Sequence, residues 1–586
     1  MQDRDEMTFI ARTQKKRWVI QPINARCEEF AKSLRVSPLL AQVLINRGVT
    51  DVPQGRVFLK SKLTELIEPA KMPGVEAAAK RIKEAIEKKE KITVYGDYDV
   101  DGITGVTILW RVLTLLEADV DYYIPHRIEE GYGLNAEAVE TLAKNGTNLL
   151  ITVDCGITAL ESANLADSLG LDLIITDHHE PSHGLPKAVA IVHPAIEKSY
   201  PNPDSSGSMV AFKLAWAIAN EFSRGAKLEP AFRDFMLNAT TLAAIGTVAD
   251  VVALTGENRI LTSYGLKALP HCELCGIQSL IESAGLTGQG LDSYHIGFRL
   301  APILNAAGRM GHARLAVELL TTDSNVRSVK IAEYLKQQNA DRRQCERKIL
   351  KQAFEVILQK QLNHPDHKSI VLAGNEWHSG VIGIVASRVV DKYYRPTIIF
   401  NIADGTVQGS ARSVEGFDVL AAISACSEHL ISFGGHRMAA GITIEHDKIP
   451  RFISDFEAYA QQNLSEDCLI DAIKIDAEIP LGILKREAVT ELERLAPFGQ
   501  GNPAPIFATK GVRLAESPRR VGAKSDHLQL AVTDNKTTIR CIGFGMGKLE
   551  KKLVERDSFS IAYQPQINSF NGFSNVQLVL SDVQFE

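Results

Sequence analysis

The chain has 586 residues, 45% hydrophobic and 23% charged, with 65 Lys and Arg against 71 Asp and Glu for a formal charge of −6. Its composition excludes wholesale disorder, and its length predicts several folding units of roughly 150 residues each. The near-neutral balance excludes a grip on polyanions through bulk positive charge, while leaving room for a local basic groove. The start, Met1-Gln-Asp-Arg-Asp-Glu6, is acidic and lacks the basic end and apolar run of a secretion signal. No window of about 18 apolar residues occurs, so the chain is expected in the cytoplasm and off the membrane. Eight cysteines are scattered along it, which fits reduced thiols better than a disulfide framework. Cys272-Glu-Leu-Cys275 is a single CxxC, half of what a tetrahedral zinc site needs.

In chain order, residues 1–70 carry no chemical motif and are expected to pack as an N-terminal extension. From there the pattern predicts an α/β body over residues 71–325. A helix over Glu76–Lys89 leads into a strand at Ile92–Tyr95, and a helix over Thr104–Leu116 into a strand at Val120–Ile124. Then come a helix at Ala136–Ala143, a strand at Leu149–Val153, a helix at Ala159–Leu169 and a strand at Leu171–Thr176. Such alternation implies parallel strands with right-handed crossovers and a ligand site beyond their carboxyl ends. Residues 326–364, free of Gly and Pro over most of their length, read as one long connecting helix of roughly 50 Å. A pair of shorter helices broken near Asn339-Ala340 is the other reading. A smaller α/β domain follows over 365–455, opening with Ile370–Ala373, a helix over Val381–Val390 and Thr397–Phe400. Residues 456–586 hold short apolar runs between turn residues, the pattern of a small barrel or sandwich.

The informative residues sit where the predicted strands end. Tyr95-Gly-Asp-Tyr-Asp-Val-Asp-Gly102 places Asp97, Asp99 and Asp101 after the first strand, and Asp154 follows Val153. Asp177-His178-His179 ends a third strand, and Asp250 closes a predicted helix in Gly246-Thr-Val-Ala-Asp-Val251. Each piece alone has a plain reading: a solvated turn, a surface histidine pair, a helix N-cap. Together, so many carboxylates at one sheet edge would repel strongly without cations, and hard oxygen ligands with imidazole suit Mn²⁺ or Mg²⁺. Residues 91–260 carry a local charge of −12 and residues 301–360 one of +5, so an acidic site is expected to face a more basic helix. No Ser or Cys nucleophile with an orienting base is legible. Gly207-Ser208 and Trp377-His378-Ser379 lack a third group.

These four motifs, in this order, resemble the DHH phosphoesterase superfamily, and Phe433-Gly-Gly-His-Arg-Met-Ala-Ala-Gly441 resembles the glycine-rich signature of its DHHA1 companion domain. With Leu304–Met310, Trp377–Ser387 and the β-rich tail, the chain from about residue 70 onward is similar to the RecJ family of bacterial exonucleases. The resemblance implies 5′→3′ degradation of single-stranded DNA by two-metal-ion phosphodiester hydrolysis, in repair and recombination. It implies that Asp99, Asp101, Asp154, His178 and Asp250 hold two Mn²⁺ or Mg²⁺ ions, with Asp154 bridging. Asp97 would ligate or support them, and His179 would face the scissile phosphate.

The same resemblance points to a 5′-phosphate pocket from Arg309, Ser410 and Arg412, with backbone groups of Gly434, Gly435 and His436. A guanidinium fork suits that ligand. A tight turn is the other reading of those glycines. Arg127 is a further candidate contact with the DNA backbone. In the tail, an OB-like barrel would track the strand through Arg519, Arg520, Lys524 and His527 and stack bases on Phe570 and Phe573, unless those rings pack in its core. A phosphodiesterase for short oligonucleotides or cyclic dinucleotides is the neighbouring reading, and a non-catalytic replication scaffold the reading of another class. A monomer is expected, with a single-strand-binding protein and repair helicases as partners.

Overall fold

The computed structural model describes residues 16–127, 130–181, 184–223, 228–310, 312–403, 406–570 and 573–585. The chain forms two compact units. The first runs from Val57 to Arg342 and takes in Leu495–Pro503; the second holds the chain up to Arg56, Arg343–Arg494 and the part from Ala504 onward.

The first unit is built on five parallel strands in the spatial order Val120–Tyr123, Ile92–Gly96, Leu149–Val153, Asp172–Thr176, Ala190–Val192. Alternate residues point to opposite faces. Ile92, Val94, Leu149, Ile151 and Val153 pack on one side against Val75–Glu87, Val100–Leu115, Gly207–Phe222 and Pro230–Ala249. Tyr95, Leu150, Leu173 and Ile175 pack on the other against Ala136–Lys144 and Leu160–Ser168. Burial on both faces is why these strands read as unbroken apolar runs. From Ile92–Gly96 the chain first adds a strand on one side and then crosses to the other, which opens a crevice at the carboxyl ends there.

The 35-residue helix Asn325–Gln359 passes through Asn339-Ala340 without a break, so the two-helix reading falls. The second unit carries a five-stranded mixed sheet in the order Leu430–His436, Ala439–Ile444, Thr406–Arg412, Thr397–Ala403, Ile370–Asn375. Helices Val419–Ala425 and Ile449–Asn463 cover one face of it. Gly434 and Gly435 lie in the exposed edge strand rather than in a tight turn. Seven strands between Ala477 and Gln584 form the last sheet, and pairing of Phe507–Leu514 with His527–Thr533 closes it into a barrel. Arg17–Ile20 pairs in parallel with Ala472–Ile475, so the amino-terminal segment packs against residues far along the chain. Among the described residues, no helix is long and apolar enough to cross a membrane.

Candidate active site

The acids gather at the crevice because the backbone leaves each strand there. Asp97 follows Ile92–Gly96 and is buried; Asp99 caps helix Val100–Leu115, its carboxylate accepting the N–H groups of Asp101 at 2.9 Å and Gly102 at 3.1 Å. Asp101, in the first turn of that helix, accepts the N–H groups of Gly207 at 2.5 Å and Ser208 at 2.9 Å. The positive end of helix Gly207–Phe222 thus fixes this carboxylate. Asp154 ends its strand in a left-handed conformation, φ +62°, and Gly207 lies so close that a Cβ there would come within 2.7 Å of its carboxylate oxygen. That approach explains a glycine at 207.

His178 Nε2 stands 3.1 Å from Asp154 Oδ1, 3.6 Å from Asp250 Oδ2 and 3.9 Å from Asp101 Oδ2. Donor atoms of Asp101, His178 and Asp250 lie within 4.8 Å of one another, as do those of Asp97, Asp99 and Asp154, and those of Asp154, His178 and His179. Asp97 Oδ1, Asp154 Oδ1 and His178 Nε2 are buried without a hydrogen-bond partner, although the last two face each other. Buried lone pairs left bare in an acidic cluster are the mark of a cation site. The residues therefore fit divalent metal.

Charge says the same. Burial, and then repulsion from Asp99, push the Asp97 carboxyl well above its usual range; burial with the Asp101 charge raises Asp99, and burial with several neighbours raises Asp154. Asp250, at the end of helix Pro230–Ala249, is pushed up to about 9 by burial and by Asp101 and Asp99. Burial lowers His178, keeping its imidazole neutral as ligation requires.

Asp177 behaves differently. Its Oδ1 accepts the N–H of His178 at 2.7 Å and of His179 at 3.1 Å, and pairs with His179 Nδ1 at 2.7 Å; its Oδ2 accepts the Ile157 N–H at 2.9 Å. Burial opposes its ionisation, but these bonds outweigh it and hold the carboxyl below its usual range. For His179, burial opposes protonation, and the bond to Asp177 overcomes it and raises the imidazole. His193, buried just past Ala190–Val192, has its Nε2 2.8 Å from the His179 carbonyl, and the Tyr132 hydroxyl lies 3.2 Å from His179 Nδ1. The contacts that Asp177, Tyr132, His193 and the Gly207-Ser208 amides make with these residues were not foreseen from the sequence. Asp177 stood in plain view beside the two histidines.

Arg127 and Arg309 flank Tyr98, next to Asp97. The Arg127 guanidinium lies 4.7 Å from the Tyr98 ring centroid, and both positive charges work against the burial and the Asp97 charge that push the Tyr98 hydroxyl up to about 12. In the second unit Arg412 Nη1 donates to Ser410 Oγ at 3.1 Å, and Gly441 faces Ser410 in the next strand with Gly434 beyond it. In the barrel, Arg520 is paired with Glu550 at 2.8 Å, and His527 is buried, its Nδ1 accepting the Gly545 N–H, so it offers no open surface. Arg519 and Lys524 are exposed. The side chains of Phe570 and Phe573 lie outside the described residues. Cys272 and Cys275 donate separately to Asn238 and Thr322, and all eight cysteines are free thiols.

Comparison with known proteins identifies the domains and the family. Residues 91–240 match the DHH family N-terminal domain, 366–462 the DHHA1 domain and 475–582 the RecJ OB domain. The single-stranded-DNA-specific exonuclease RecJ of Bacillus subtilis is 38% identical over 97% of this chain and 71% of its own length. That of Haemophilus influenzae is 32% identical over 95% and 97%. The crystal structure of RecJ in complex with Mn²⁺ from Thermus thermophilus superposes with a TM-score of 0.83 at 32% identity, covering 97% of this chain and 79% of that one. A Mg²⁺ complex from the same organism gives 0.76 at 30% identity, with 97% and 78% covered. With relatives of this identity along nearly its whole length, the chain belongs to the RecJ family of single-stranded-DNA-specific exonucleases.

Proposed function

We propose that this chain is a single-stranded-DNA-specific exonuclease that works 5′→3′ with two divalent cations, Mn²⁺ or Mg²⁺. The observation that carries the reading is the convergence of five carboxylates and His178 at the carboxyl ends of the parallel sheet, where Asp97 Oδ1, Asp154 Oδ1 and His178 Nε2 are buried and bare. Asp97, Asp99 and Asp154 surround one position and Asp101, His178 and Asp250 the other, with Asp154 Oδ1 facing His178 Nε2 between the two sets. Bound there, the cations would activate water and neutralise charge on the scissile phosphate.

The protein's own groups do the rest. Asp177 orients the His179 imidazole beside Asp154 and favours its protonated form, which can hold a phosphoryl oxygen or deliver a proton to the leaving oxygen. Arg127 and Arg309 offer guanidinium forks to the DNA backbone near the acids. Ser410 and Arg412, with the open glycine strip of Gly434, Gly435 and His436, are proposed to receive a terminal phosphate in the second unit, and the barrel to bind the strand. Repair and recombination in the cytoplasm, action as a monomer, and contact with a single-strand-binding protein and helicases complete the reading.

The test is product analysis on a 5′-labelled single strand with Mn²⁺. Release of labelled mononucleotide is expected; hydrolysis of dinucleotides alone would favour the short-oligonucleotide enzyme, and no hydrolysis the scaffold. Asp154→Ala should abolish cleavage with the fold intact by circular dichroism. Arg412→Ala should reduce the preference for 5′-phosphorylated over 5′-hydroxyl ends while Mn²⁺ binding stays unchanged.

A further inference from the structure

Leu495–Pro503 belongs to the parallel-sheet unit, although the chain on both sides of it belongs to the other. The buried Arg259, on helix Gly256–Ala268, fastens it. Its Nη1 donates to the Leu495 carbonyl and its Nη2 to that of Ala496, both at 2.8 Å, while Nε donates to the Phe58 carbonyl at 3.1 Å. The guanidinium carbon lies 3.9 Å from the Phe58 ring centroid. The Ser293 hydroxyl donates to the Phe498 carbonyl, and the buried Asn502 amide closes the segment on itself through the Leu495 and Pro497 carbonyls.

What the segment touches is the turn that follows Asp250. The Leu254 N–H donates to the Gln500 carbonyl at 2.8 Å, and Gly501, at φ +71°, comes so near Ala253 that a Cβ would stand 3.0 Å from the alanine methyl. Asn258, one residue before Arg259, donates to the carbonyls of Ala253 at 3.0 Å and Asp204 at 2.7 Å. Asp204 leads directly into Ser206, the cap of helix Gly207–Phe222, whose first amides hold Asp101. Two of the three groups around one cation position are thus braced by the same turn.

We propose that Arg259 and the 495–503 segment position the metal centre, fixing Asp250 through the 251–258 turn and Asp101 through Asn258 and the 204–207 loop. This rests on Asp101 and Asp250 being ligands. Groups that orient ligands without touching the ion change metal affinity by about 10–100-fold when lost.

Mn²⁺ binding to the full-length chain, followed by electron paramagnetic resonance of the free ion, tests it. Wild type, Asp250→Asn, Arg259→Met, Arg259→Lys and Ser293→Ala are compared, with Mn²⁺ activation of single-strand cleavage measured alongside. Arg259→Met is expected to weaken Mn²⁺ binding about tenfold and to raise the activating concentration equally, with kcat nearly restored at saturating Mn²⁺. Arg259→Lys should recover part of the loss, and Ser293→Ala should show a smaller loss in the same direction. Wild-type Mn²⁺ affinity in folded Arg259→Met overturns the proposal; if that variant does not fold, wild-type affinity in Ser293→Ala does so. Unchanged binding in Asp250→Asn would instead overturn the ligand assignment, and the proposal with it.

Discussion

His179 is held from three sides: Asp177 grips its Nδ1 and its backbone N–H, His193 sits at hydrogen-bond distance from its carbonyl, and the Tyr132 hydroxyl lies over its ring nitrogens. Of these, only Asp177 supplies a charge that favours the protonated imidazole. Asp177→Asn keeps an oxygen to accept the N–H groups of His178 and His179 but removes that charge and leaves the Ile157 N–H without its acceptor. It should lower kcat about 100-fold, the scale of a lost acid–base contribution, with Mn²⁺ affinity close to wild type by paramagnetic titration. A loss of less than about threefold would mean that His179 needs no anionic partner, far below that scale. The acids proposed as ligands stood out in the sequence because carboxylates have no place inside apolar strands, so their positions mark strand ends. Asp177 shares that signature, yet its role depends on which atoms its oxygens meet. Tyr132 and His193 carry no signature, since their partners come from other parts of the chain.

Helix Gly207–Phe222 shows how an element serves the site from its far side. Its first amides hold Asp101, and further along it the fully buried Lys213 donates to Glu257 Oε1 at 2.5 Å and to the Ile67 carbonyl. Glu257 also accepts the Tyr200 hydroxyl at 2.5 Å and the Ile67 N–H at 2.6 Å. Removing one partner of such a pair strands the other charge, so Lys213→Met should cost about 3–5 kcal/mol. Adding Glu257→Gln, which keeps an acceptor without the charge, should return more than half of that in urea denaturation. No recovery would show that the cost is lost packing. A lysine in the run Val-Ala-Phe-Lys-Leu-Ala gave no warning of this pair, because its partner lies 44 residues away. Strands buried on both faces were legible as apolar runs, whereas Ala190–Val192 is too short to stand out. Leu430–His436 did not stand out as a strand because glycines supply no alternation to recognise.

Across the molecule, a modest net charge hides a steep local one: residues 91–260 carry −12, and their buried carboxylates meet at one crevice. Folding without cations must hold these groups together against burial and mutual repulsion, so the site opposes the stability of the unit that contains it. A cation bound only by the folded state stabilises it by RT ln(1 + [L]/Kd), about 2.7 kcal/mol at one hundred times Kd. In a unit of this size that should raise Tm by roughly 5 °C, and EDTA should reverse it. Asp97→Asn separates the cost of burying this group from ligation, because it replaces a carboxyl whose ionisation burial and Asp99 oppose and whose Oδ1 has no hydrogen-bond partner. In EDTA the variant should melt about 1–3 °C above wild type, while its rise with Mn²⁺ should shrink to less than half. A variant less stable than wild type in EDTA, with a full Mn²⁺ response, would mean that Asp97 is a structural acid and takes no part in holding the ions.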